Sequence, residues 1–107
     1  MSLSQYWFSL GKDLEKSGDY VRAIIAFYNA GADDELRALV DNPQLVRKTM
    51  NSKSKTDLEN LIDGLFVRWE AINDDGCDEK TLDAIRVLIK TANDSLDERY
   101  GMKGVAG

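Results

Sequence analysis

Nineteen aspartate and glutamate residues and no histidine leave carboxylates as the groups on which any chemistry in this chain would rest. Without imidazole there is no histidine-based triad, no histidine metal ligand and no histidine general base. The single cysteine, Cys77, builds neither a thiolate zinc site nor an internal disulfide, so nothing points to an oxidising compartment. Gly101-Met102-Lys103-Gly104 lacks the spacing and the preceding strand of a phosphate-binding loop, and no dinucleotide fingerprint is present.

Three acidic groups have spacings with chemical meaning. Asn73-Asp74-Asp75-Gly76 is similar to part of a calcium loop, in which alternating oxygens surround the ion and a glycine allows the sharp turn. Aligning Gly76 with that glycine puts Ala71 at the first ligand position and Leu82 at the closing carboxylate, so a turn with capping side chains is the expectation. Asp94 and Asp97, with Asp75 and Asp78, have the paired spacing by which some all-helical nucleotide pyrophosphohydrolases hold magnesium. Asp75 and Asp78 fall at a helix boundary, which keeps the two pairs from facing each other mid-bundle, and a solvated face is expected. Glu59 and Asp63, one turn apart, read as surface charges. The expectation is therefore a protein that is not an enzyme, with no catalytic residues, no cofactor and no metal.

Charge narrows the partners. The net charge is −5, with acids concentrated at Asp33-Asp34-Glu35, Asp74-Asp75 and Asp78-Glu79, which disfavours general binding to nucleic acid or an anionic membrane. Arg47, Lys48, Lys53 and Lys55 run against that sign, but no aromatic lies among them, and a solvated linker is expected rather than a phosphate grip. The first residues lack a basic region followed by an apolar run, and no stretch approaches the roughly 18 apolar residues of a membrane span. Cytoplasmic localisation is the expectation.

The elements that would position these groups are all helical. Trp7, Leu10, Gly11 and Leu14 recur at three-and-four spacing, as do Ala23, Phe27 and Ala30, so two helices share a seam of small and large side chains. Lys16-Ser17-Gly18-Asp19 between them supplies a glycine stop and an aspartate cap. Gly11 costs about 1 kcal/mol against alanine within a helix, and close approach of the second helix around Ala23 gives it a reason. Asp33 is expected to cap a segment carrying Leu36, Leu39 and Val40; Asp41-Asn42-Pro43 interrupts it, and Pro43 suits the first turn of a following helix through Leu45, Val46 and Met50, the whole read as a bent connecting helix over 33–51. Residues 51–55 read as a linker. Thr56 with Glu59 predicts a capping box, followed by the stripe Leu58, Leu61, Ile62, Leu65, Phe66, Trp69 and Ile72. A last helix carries Leu82, Ile85, Leu88, Ile89, Ala92 and Leu96. It is expected to stop near Tyr100-Gly101, with a flexible tail over 102–107.

The set Trp7, Leu10, Gly11, Leu14, Gly18, Tyr20, Ala23, Phe27 and Ala30 resembles a tetratricopeptide (TPR) repeat. The resemblance covers about residues 4–34. Ala32-Asp33-Asp34-Glu35 stands where the family usually has a proline, and one repeat later Asp41, Leu45 and Asp57 hold the positions of tryptophan, glycine and alanine. The resemblance implies a partner groove lined by the first helix, at Gln5, Phe8, Lys12, Glu15 and Lys16. Independently, Tyr6, Trp7 and Phe8 are consecutive at roughly 100° per residue, so at least one aromatic must look outward.

These readings give an all-α bundle of about five helices in a single domain over 1–101: a TPR-like hairpin over 4–31, a bent connecting helix over 33–51 and a second hairpin over 56–100. The expected function is a protein–protein interaction module, as an adaptor or a regulatory, inhibitory binding protein, with homo-oligomerisation open. The alternative is an acidic inhibitor that imitates nucleic acid before a DNA- or RNA-binding protein. The third is a magnesium-dependent all-α nucleotide pyrophosphohydrolase.

Overall fold

The computed structural model describes residues 2–74, 76 and 79–100. The sequence expectations for Asp75, Cys77, Asp78 and the tail lie outside these residues. Six helices and no strand occur among the described residues: α1 (Leu3–Lys16), α2 (Tyr20–Ala30), α3 (Asp33–Leu39), α4 (Pro43–Asn51), α5 (Lys55–Asp74) and α6 (Glu79–Tyr100).

Local chemistry explains most of these boundaries. Ser2 and Gln5 close a reciprocal cap on α1: Ser2 Oγ accepts from the Gln5 amide at 3.2 Å, and Gln5 Oε1 accepts from the Ser2 amide at 3.0 Å. Gly18 adopts φ +87°, a conformation that a β-carbon disfavours, and reverses the chain. Asp19 then caps α2 by accepting from the Arg22 amide at 3.2 Å. At the far end Gly31, φ +70°, turns the chain into α3.

Three expectations are corrected here. The bent connecting helix over 33–51 is two separate helices: Pro43 stands in the first turn of α4 as expected, where its missing N–H costs nothing, but the residues before it leave helical geometry and divide the segment. This makes six helices rather than about five. Asp33 does not cap α3. Ala32 holds the cap position without a side-chain bond, and the Asp33 carboxylate accepts from Arg68 Nη2 of α5 at 2.9 Å. The cap of α5 is Ser54, whose Oγ accepts from the Asp57 amide at 3.1 Å, not Thr56. The linker accordingly shrinks to 52–54.

The helices close into a small bundle with α2 at its centre, packed on α1, α3, α4 and α5, while α6 packs on α3, α4 and α5. Val21, Ile24, Phe27, Leu36, Leu39, Met50, Leu58, Leu61, Leu65, Ile85 and Leu88 fill one continuous core. The radius of gyration is 13.8 Å, close to the roughly 13 Å of a compact domain this size, so the helices wrap one core rather than stack as an open array. Phe66 departs from its stripe and is 48% exposed. Two buried hydroxyls join the interior instead, Thr81 accepting from Arg37 Nη1 at 2.9 Å and Ser95 donating to Asn51 Oδ1 at 2.6 Å. No helix among the described residues is long and apolar enough to cross a membrane.

Candidate partner-binding groove

α1 is the least covered helix. Its principal neighbour is α2, and its one buried residue is Gly11, which lies under the Phe27 ring. None of its three consecutive aromatics is fully buried. Tyr6 is 52% and Phe8 38% exposed, and Trp7, half-buried, meets Tyr6 edge-on with ring centroids 5.5 Å apart. The Phe8 ring rests against Phe27 with centroids 6.1 Å apart and lines a cleft.

That cleft has a volume of about 1000 Å³ and runs between Gln5, Phe8 and Ser9 of α1 and the turn from Ala30 into Asp33, Asp34 and Glu35 of α3. Lys12 donates to Glu35 Oε2, on the cleft wall, at 2.7 Å; its ammonium is also 3.7 Å from Glu15 and 5.7 Å from the Phe8 ring centre. Of the five positions implied by the resemblance, Gln5 and Phe8 line the cleft, whereas Lys12 and Glu15 are not among the lining residues, Lys12 being joined to the lining residue Glu35. Lys16, exposed in the last turn of α1, is not among the lining residues. In the sequence Asp33-Asp34-Glu35 read only as a concentration of acids; their place on the cleft wall was missed, although three acids separated from Gly31 by one residue were the available signal.

The wall is held by ion pairs. Asp33 pairs with Arg68 at 2.9 Å, Asp34 with Arg37, and Glu35 with Lys12. Each carboxylate has two oxygens and can accept further donors, and the Asp34 side chain is 85% exposed. Elsewhere, Arg47 pairs with Glu98, and Lys53 with Asp19 at 3.1 Å, so half of the basic segment is neutralised within the fold. Asp94 and Asp97 line a hollow with Arg47 and Glu98, and Lys90 reaches Asp94 at 3.2 Å. No group of three metal-ligating side chains occurs among the described residues.

Two groups tie stability to alkaline pH. The Lys12 ammonium is held above its ordinary value of 10.5 by its hydrogen bond to Glu35, reinforced by the charges of Glu35 and Glu15 against desolvation. Burial pushes the Tyr28 hydroxyl above 10.0. A folded-state value above the unfolded one stabilises below the unfolded value and stops doing so as pH rises through the folded value. The melting temperature is therefore expected to fall above about pH 10, and Tyr28→Phe to flatten part of that fall. An identical alkaline slope in Tyr28→Phe would remove the hydroxyl from the explanation.

The chain matches no protein-family profile, no curated protein and no solved structure.

Proposed function

We propose that this chain is a protein-interaction module whose first hairpin, residues 4–31, works as a single TPR-like unit. It docks an apolar side chain of a protein partner on Phe8 and a neighbouring cationic side chain on the acidic wall of α3. The observation carrying this reading is the partly exposed Phe8 ring in a cleft whose charged lining residues, Asp33, Asp34 and Glu35, are all acids. An aromatic anchor ringed by polar groups is the usual centre of an energetic hot spot. The repeat-like reading draws support from Gly11, where an added β-carbon would lie 2.6 Å from Phe27 Cε1, and from buried Ala23 and Ala26 on the facing helix.

Affinity capture from a cell extract, comparing wild type with Phe8→Ala, tests the reading. Loss of a central aromatic anchor is expected to weaken a specific partner by about tenfold or more, while the melting temperature stays near wild type because Phe8 is partly exposed. Equal recovery of every partner would sink the groove. Salt discriminates the alternative. A complex anchored on Phe8 keeps most of its affinity as ionic strength rises, whereas an imitation of nucleic acid loses most of it.

A further inference from the structure

Leu3, Trp7, Leu10 and Leu14 are spaced four, three and four residues apart, the spacing of a helix–helix seam. At roughly 100° per residue they fall within about 60° of one another on α1. On the same wheel Gly11, under Phe27, separates this stripe from the flank holding Phe8, Lys12 and Gln5. The stripe is partly buried from Trp7 to Leu14 and exposed at Leu3. Leu14 packs against the core, Trp7 and Leu10 are half-buried, Tyr6 at the margin is 52% exposed and Leu3 is 73% exposed.

Charge selects the occupant. The chain carries −5, so most pairs of copies repel, yet α1 contains two lysines, one aspartate and one glutamate and is electrically neutral. All four charges lie between Lys12 and Lys16, and Leu3–Gly11 has none. Two α1 helices running antiparallel about a twofold axis would match the charged half of each with the uncharged half of the other, Leu3 against Leu14 and Trp7 against Leu10, with opposed helix dipoles. The same arrangement carries Asp13 toward the start of the other copy's α1, whose first turn has no acid of its own. A carboxylate at a helix N-terminus is favourable.

We propose that a second copy of this chain covers the Leu3–Trp7–Leu10–Leu14 stripe through antiparallel pairing of α1, leaving the Phe8 groove open on each copy. This pairing does not depend on the groove being functional. Sedimentation velocity of the full chain over a concentration series tests it. Wild type is expected to shift reversibly from monomer to dimer. Leu3→Glu should raise the dissociation constant about tenfold or more, as loss of a buried apolar contact does. Asp13→Lys should raise it about two- to fivefold, the factor corresponding to a charge at a helix terminus. Val87→Glu, at a 46% exposed apolar position on α6, should leave it unchanged. Tyr6→Glu repeats the test if Leu3→Glu loses helicity. A wild type that stays monomeric throughout, or equal weakening by Leu3→Glu and Val87→Glu, overturns the proposal.

Discussion

Valine at Gly11 is expected to destabilise the protein by about 3 kcal/mol, although valine is the better helix former by a few tenths of a kcal/mol. The sign follows from space. A β-carbon at Gly11 would lie 2.6 Å from Cε1, 2.7 Å from Cδ1 and 3.1 Å from Cζ of Phe27. Phe27 is fully buried, so its ring has no solvent to swing into and the helices must part instead. Alanine sets a smaller effect against a larger helix-propensity gain, and its net cost is expected between about 0 and 2 kcal/mol. Urea unfolding at constant slope measures both variants. Shortening the obstacle is the control: Gly11→Ala combined with Phe27→Leu is expected to be more stable than the sum of the two single changes predicts. Strict additivity would show that the two residues do not meet and would remove the contact on which the first hairpin is built.

That Gly11 needs a close neighbour on the second helix was legible in the sequence, because a glycine inside a strong apolar period is costly without one. The expected neighbour was Ala23, whereas the atoms that meet Gly11 belong to the Phe27 ring, since the helical period fixes the shared face and not which side chain of the facing helix lies over the glycine. The Gly18-Asp19 reversal was legible for a similar reason, since left-handed backbone and capping are properties of single residues. Competition between equivalent local signals was not. Ser54 and Thr56 both precede the α5 stripe, and the helix begins at the earlier one, adding Lys55 and Thr56 to its first turn. Phe66 sits at the edge of a wide stripe, where the helical period alone does not decide between core and solvent.

The groove was half legible. Phe8 was marked by three consecutive aromatics that one core cannot absorb. Its acidic wall depends on the angle at which α3 leaves Gly31, and on ion pairs such as Lys12–Glu35 and Arg68–Asp33 that join residues 23 and 35 positions apart. No local pattern encodes such pairings. They redistribute the charge that the composition alone reads as a uniformly acidic surface.

α3 is where the two hairpins are joined, and alanine at Leu36 is expected to cost about 2–5 kcal/mol. A seven-residue helix does not persist in water without tertiary support. Leu36 and Leu39 supply that support, both buried, in a helix that packs on α2 on one side and α6 on the other. The two tryptophans report the halves separately, Trp7 from α1 and Trp69 from α5. With Trp7 or Trp69 replaced by phenylalanine in turn, urea unfolding of otherwise wild-type protein is expected to give coincident transitions, as one cooperative domain requires. Removing the Leu36 side chain weakens the bridge without touching either tryptophan. The Trp7 transition should then move to lower urea than that of Trp69, because α1 rests mainly on α2 whereas α5 keeps the whole of α6. Coincident transitions in Leu36→Ala, with a loss below about 1 kcal/mol against the range expected for a buried leucine, would place the joint between the hairpins elsewhere, at the contacts of α2 with α4 and α5.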